Sequence, residues 1–274
     1  MGIYTVYHSL DERLHYARKT SDPVHVPIHS NKRWELIYIA KSANVVYTIG
    51  DKCYRLGNDC LIITRPTECH SVTYSRELNN ERWVIQFEEP VLHSRICSMI
   101  PPEVDVLDCS ADKTVYELLC KMDRYINILD KETAKEMLIS LIQELLCDIK
   151  LKADSAETDF KQHNNDTVAR AIRYMKDNLE RPITVGEVAT HLYISTGYLQ
   201  RLFMEHLQVS PKQYILSLKL TYAQRDLCSG ERVTRVWSKY GFADYSSFYR
   251  KFIKHFGYKP SEAKDHADVF DLVY

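Results

Sequence analysis

Between Ile183 and Phe252 the chain writes one pattern twice, and this repeat restricts its C-terminal part more than any other feature. The first copy is ITVGEVATHLYISTGYLQRLF (Ile183 to Phe203) and the second is RVWSKYGFADYSSFYRKF (Arg235 to Phe252). In each, a short apolar helix leads into a turn, and a polar-faced helix then ends in an Arg-x-Phe spacing: Arg201-Leu202-Phe203 and Arg250-Lys251-Phe252. A helix-turn-helix of this shape sets one helix across a DNA backbone and the next in the major groove. Two copies in one chain predict a reader of two successive major-groove segments.

The spacing of apolar residues separates the faces. In the first copy Val188, Ala189 and Leu192 face inward, Ser195 is placed to cap the second helix, and Leu199, Leu202 and Phe203 form its buried stripe. That leaves Thr196, Gly197, Gln200 and Arg201 outward. Gln pairs bidentately with adenine and Arg with guanine, for about 1–3 kcal/mol of discrimination each. The same side chains also serve as phosphate contacts or as a plain solvated face. Ser210-Pro211-Lys212-Gln213 has the cap, N1 proline and N3 glutamine of a helix start, and Tyr214, Ile215, Leu218, Tyr222 and Leu227 continue that helix as a rigid spacer. In the second copy Val233, Val236 and Tyr240 face inward, Gly241-Phe242 makes the turn, Asp244 caps, and Phe248 and Phe252 pack. Tyr245, Ser246, Tyr249 and Arg250 remain outward, with Lys251, Lys254 and Lys259 suited to phosphates. The two tyrosines predict apolar contact with thymine methyls.

Charge agrees with this reading once it is divided along the chain. The formal net charge is −1, yet residues 161–264 carry 17 Lys and Arg against 9 Asp and Glu, leaving 19 basic and 28 acidic residues for the rest. A basic half beside an acidic half points to nucleic acid for the former, the alternative being a chance solvated face. The eight cysteines form no Cys-x-x-Cys pair, so no zinc ribbon or thioredoxin-like site is written. They read as buried free thiols of a reduced cytoplasmic protein, with a thiol redox sensor as the alternative. No stretch is long and apolar enough for a membrane span or a signal sequence.

Residues 1 to about 108 read mainly as short strands. WELIYIAK, NVVYTIG, KCYRLG, CLIIT, HSVTYS and ERWVIQF are separated by the turn residues Ser42-Ala43-Asn44, Gly50-Asp51, Gly57-Asn58-Asp59, Arg65-Pro66-Thr67 and Leu78-Asn79-Asn80. Their regular spacing predicts a sandwich or small barrel rather than a parallel sheet. The period then becomes helical. Val115, Leu118, Leu119, Met122, Tyr125, Ile126 and Leu129 form one stripe, and Met137, Leu138, Leu141, Ile142, Leu145, Leu146 and Ile149 form another. The second stripe serves either core packing or dimerisation. The polar segment 153–166 reads as a linker, and a helix from about Thr167 to Leu179 follows, stopped by Arg181-Pro182. The expected class is therefore α+β: residues 1–152 a β-barrel or sandwich with a helical dimerisation segment, 153–166 a linker, and 167–274 an all-α domain.

The C-terminal domain resembles the AraC/XylS family of bacterial transcription regulators. The match spans about residues 167–264 and is most specific in GFADYSSFYRKFIKHFGYKPSEA (Gly241 to Ala263), where Gly-Phe opens the turn and Gly-x-x-Pro closes the domain. The resemblance implies two helix-turn-helix units on a linker helix, with base contacts at Thr196, Gly197, Gln200, Arg201, Tyr245, Ser246, Tyr249 and Arg250. Trp237, Lys219 and Asp226 depart from the family's usual Ala, Arg and Leu. The N-terminal half resembles the cupin-like sensor domain common in that family, through His29, Glu35 and the stretch from Gly57 through Pro66 to His70. Metal-binding cupins bring a His-x-His, a Glu and a later His together, but Asn31 stands where the second His would be. The full set is not written, and no metal or cofactor is expected. Structural or surface roles, a small-ligand pocket and a metal site are the alternatives, with His29, Glu35, Tyr38, Tyr47, His70 and Trp83 as candidate liners of a pocket inside the barrel.

The expected function is a ligand-responsive transcription regulator and not an enzyme. Its partners would be double-stranded promoter DNA, a small-molecule effector (a sugar or related metabolite among the candidates), RNA polymerase and a second copy in a homodimer, with activation as the family expectation. A cupin-type metalloenzyme fused to a DNA-binding module is the competing class, and a sequence-independent architectural protein is a third.

Overall fold

The computed structural model describes residues 4–21, 25–42, 45–74, 80–92, 95–154 and 166–266. Its N-terminal part is built from ten strands among these residues: β1 (Tyr4–Asp11), β2 (Leu14–Ser21), β3 (His25–His29), β4 (Trp34–Lys41), β5 (Val45–Ile49), β6 (Lys52–Leu56), β7 (Cys60–Thr64), β8 (His70–Thr73), β9 (Asn80–Phe87) and β10 (Val106–Asp108). The six apolar runs marked by the sequence are β4 to β9. The hairpin β1–β2 and strand β3 are additional. Pairing is antiparallel throughout, in a six-stranded sheet ordered β1-β2-β9-β4-β7-β10 and a four-stranded sheet ordered β3-β8-β5-β6.

Alternation along the strands divides two cores. In β4, Trp34, Leu36 and Tyr38 point to one face and Ile37 and Ile39 to the other; in β9, Trp83, Ile85 and Phe87 oppose Val84. The first set packs under α1 (Thr114–Ile128) and α2 (Lys131–Asp154), and the second lies between the sheets with Tyr47, Ile62 and Val72. Leu138, Leu141, Ile142, Leu145, Leu146 and Ile149 of α2 are buried in the first core. The apolar stripe that the sequence offered for core packing or dimerisation is therefore buried within the chain, against α1, residues 89–92, residues 96–99 and the sheet, with Ile128 and Leu151 left exposed.

Of the expected linker, Ala153 and Asp154 end α2, and residues 155–165 lie outside the described residues, as do Ala43, Asn44, Leu78 and Asn79 of the expected turns. The helical part is α3 (Asp166–Asp177), α4 (Val185–His191), α5 (Thr196–Leu207), α6 (Pro211–Cys228), α7 (Val233–Lys239) and α8 (Tyr245–Phe256). Caps fix the starts: Thr184 with Glu187 makes a capping box on α4, Ser195 caps α5, Ser210 with Gln213 boxes α6, and Asp244 caps α8. No helix among the described residues is long and apolar enough to cross a membrane.

The departures Lys219 and Asp226 join elements. Lys219 Nζ donates to Arg181 O at 2.7 Å and Tyr240 O at 2.8 Å, tying α6 to the loop before α4 and to the end of α7. Asp226 Oδ2 accepts from Tyr240 Oη and Lys239 Nζ, both at 2.7 Å. Helix α6 is buried around most of its circumference because it also packs on β3, where Thr221 Oγ1 donates to Ile28 O at 2.8 Å. Ile28, Cys53 and Cys69 of the β part share the helical core. Arg173–Asp51, Arg55–His206 and Thr73–Leu207 O add polar contacts between the halves.

Candidate nucleic-acid interface and buried polar cavity

The two second helices present the outward faces that their spacing implies. On α5, Leu199, Leu202 and Phe203 are buried, while Thr196, Gly197, Gln200 and Arg201 are exposed. On α8, Phe248 and Phe252 are buried; Tyr245, Ser246, Arg250, Lys251 and Lys254 are exposed and Tyr249 is half-buried. Neither helix carries an acidic residue in its first turn. At α5, capped by the neutral Ser195, the partial positive charge of the N-terminus is thus left for an anion such as phosphate, whereas at α8 the Asp244 carboxylate already offsets it. Tyr198, which spacing alone did not single out, is exposed beside Arg201, whose guanidinium lies 5.1 Å from its ring centroid. Tyr245 and Tyr249 stand 5.7 Å apart, centroid to centroid. Lys251 Nζ lies 5.6 Å from the Phe242 ring.

The second constellation is in the β part. His29, Glu35, Tyr47 and His70 line one cavity of about 30 Å³ between the sheets, together with Lys19, Tyr74 and Arg82. Tyr38 and Trp83 do not belong to it. They have the opposite strand parity from Glu35 and Arg82, so they face the helices, where Tyr38 Oη donates to Asp59 and Trp83 Nε1 to Asp123. Lys19, Tyr74 and Arg82 are the polar liners that sequence reasoning missed, beside the aliphatic Val26, Ile37, Val72 and Val84. A charged residue at the inward parity of β9 was the available signal for Arg82.

Hydrogen bonds fix how the polar groups face one another. His29 Nδ1 lies 2.9 Å from Pro27 O, and His70 Nδ1 lies 3.0 Å from Glu68 O. A carbonyl only accepts, so both rings carry a proton on Nδ1, and in the neutral ring the lone pair is on Nε2. His70 Nε2 lies 3.4 Å from Glu35 Oε2, and the two imidazole centroids are 4.1 Å apart. Asn31, at the position of the missing histidine, donates from Nδ2 to Glu35 Oε2 at 3.0 Å, and Gln86 Nε2 is 3.4 Å from the same oxygen.

Electrostatics follow from burial and neighbours. Burial, reinforced by His70, lowers His29 to about 3, so its ring is neutral. Burial alone would raise Glu35, but the hydrogen bond and charge of His70 outweigh it and hold the carboxyl at about 2. Burial and the facing Arg82 lower Lys19 to about 8. The cavity is a small chamber holding one carboxylate beside two imidazoles, with Lys19 and Arg82 and the aliphatic Val26, Ile37, Val72 and Val84 in its wall.

Residues 188–266 match a family model described as a helix-turn-helix domain. Over 243 residues the chain is 23% identical to the lactose operon transcription activator of Staphylococcus xylosus, covering 85% of each protein. It is 22% identical over 228 residues to the HTH-type transcriptional regulator YfiF of Bacillus subtilis, covering 77% of this chain and 69% of that one. Among solved structures, a transcriptional regulator from Chromobacterium violaceum with an AraC-type DNA-binding domain is 25% identical, covering 37% of this chain and 92% of that one with a TM-score of 0.36.

Proposed function

The chain is a DNA-binding transcription regulator of the AraC/XylS family, and from that premise we propose that it reads two adjacent major-groove segments and answers to a small effector held in its β part. The observation that carries this reading is the pair of exposed outward faces on α5 and α8, fixed on one core with α6. Gln200 and Arg201 supply base contacts from α5; Tyr245, Tyr249 and Arg250 supply them from α8. Thr196, Gly197 and Ser246 approach the same groove edges, and Lys251 and Lys254 meet phosphates. Residues 1–152 act as sensor and 167–274 as reader.

The effector site is the cavity of His29, Glu35, Tyr47 and His70. Its link to the reader is short. Ile28, next to His29, accepts the Thr221 hydrogen bond from α6, the helix that spaces the two readers. A ligand that moves His29 changes this contact and so favours one placement of the reader over another, the differential affinity that a switch requires. Action as a homodimer in the cytoplasm, contact with RNA polymerase and activation complete the reading. The name of the Staphylococcus xylosus relative, a transcription activator, supports activation.

Selection of binding sites from random duplex DNA by the full chain tests the reader. We expect a consensus in two blocks centred about one helical turn, roughly 10 base pairs, apart. Recovery of no consensus at moderate salt would return the architectural reading.

A further inference from the structure

We propose that Tyr198 is a positioning residue of the first reader: its ring carries the Arg201 guanidinium so that the in-plane N–H groups stay free for one guanine edge. This deepens the regulator reading above and rests on it, because it concerns how one of the base contacts is made.

Helix α5 gives Arg201 two neighbours one turn back, at i−4 and i−3. The first is Gly197, which has no side chain, and the second is Tyr198. Helical side chains lean toward the N-terminus. Arg201 therefore reaches back over Tyr198, and its guanidinium carbon lies 5.1 Å from the ring centroid. The backbone beneath the ring is fixed: Tyr198 N donates to Ser195 Oγ at 3.1 Å and Leu199 N to Ser195 O at 3.0 Å. Among the described residues Arg201 forms no ion pair that would compete with the ring. A ring against the face of a guanidinium leaves its in-plane donors untouched, and these are the donors that pair with guanine O6 and N7. Holding the side chain beforehand also removes part of the rotamer entropy that it would lose on binding.

Helix α8 lacks this device. Ser246 and Ser247 stand at i−4 and i−3 of Arg250, the places of Gly197 and Tyr198, and neither brings a ring to it. The two arginines share the Arg-x-Phe spacing but not their support: Arg201 is held before DNA arrives and Arg250 is not. Core packing does not account for the ring either. Tyr198 is 39% exposed, whereas Leu199, Leu202 and Phe203 of the same helix are buried.

The test measures, for the full chain, affinity for every base substitution of the operator selected by the wild type. The variants are Tyr198→Phe, Tyr198→Leu, Tyr198→Ala, Arg201→Ala and the double variant Tyr198→Ala with Arg201→Ala. Tyr198→Ala and Tyr198→Leu should each lose about two- to fivefold of the guanine preference at the Arg201 position, the size of an exposed cation–π contact. The preference at the Arg250 position should stay unchanged. Tyr198→Phe keeps the ring face and should keep the wild-type preference. In the Arg201→Ala background the effect of Tyr198→Ala should vanish. A uniform loss of affinity with preferences intact would make the ring merely structural, and an equal loss in Tyr198→Phe and Tyr198→Ala would assign the effect to the hydroxyl. Either result overturns the proposal. If Tyr198→Ala does not fold, Tyr198→Leu decides. Failure of the regulator reading looks different: no operator is selected, or Arg201→Ala leaves every base preference unchanged. A preference lost in Arg201→Ala but kept in Tyr198→Ala and Tyr198→Leu overturns this inference alone.

Discussion

In the first helix-turn-helix unit the turn passes through Tyr193 at φ 58°, and in the second through Gly241 at φ 67°. The same backbone bond closes both: Ile194 N to Ala189 O at 3.0 Å and Phe242 N to Trp237 O at 3.2 Å. What differs is the surroundings. Tyr193 is 94% exposed, so its side chain meets only solvent. A Cβ on Gly241 would stand 2.7 Å from Arg181 C and Pro182 N, because the loop entering α4 lies against the second turn. The left-handed residue is a requirement of the motif, but the freedom to choose it is set by neighbours. The start of the first unit packs on the turn of the second, so the two units form one body.

Three substitutions bear on this contrast in decreasing size. Gly241→Ala adds both left-handed strain and a clash with backbone, and should destabilise the chain by about 2–4 kcal/mol in urea unfolding. A loss under about 1 kcal/mol would show that the Arg181-Pro182 loop yields and that the units are not rigidly joined.

An intermediate effect is expected from pH. Burial lowers His255 of α8 from the ordinary 6.5 to about 4. As pH falls through 6.5 the unfolded chain takes up a proton that folded His255 refuses, so stability is full above 6.5 and drains away toward pH 4. His255→Phe should make the decline of the unfolding midpoint with falling pH shallower. It should not abolish the decline, since His29 is lowered for the same reason. A slope equal to that of the wild type would place the acid sensitivity elsewhere.

The smallest effect is expected at Tyr193. Tyr193→Gly relieves the strain of a non-glycine residue at positive φ but frees the unfolded chain, so the net change should lie within about 1 kcal/mol. A large loss would reveal a packing role for a side chain that the structure leaves in solvent.

The reader was legible in the sequence because its helices are amphipathic: each has one buried stripe and one solvent face, and 3.6-residue spacing separates them. The sensor was only partly legible. Trp34 to Ile39 of β4 are all buried, since this strand is covered on both faces, and such a strand has no alternation to say which side holds the cavity. Hence Tyr38 and Trp83 were grouped with Glu35 and Tyr47. Strand β2 was obscured by its basic residues, among them Lys19, which turns inward toward Arg82. The docking of α6 on β3 rests on Thr221 and a backbone carbonyl far away in sequence, a contact that leaves no pattern in either segment. Asn31 was noticed only as a missing ligand; the structure gives it the task of holding Glu35.

The central claim is that two unlike helices read two separate DNA segments. Affinity profiling across every base substitution of the selected operator, with Arg201→Ala and Arg250→Ala beside the wild type, tests it most directly. Each variant should lose about 1–3 kcal/mol of discrimination at its own position, and the two positions should lie about 10 base pairs apart. Loss at one shared position, or a uniform loss with preferences unchanged in both variants, would contradict the account.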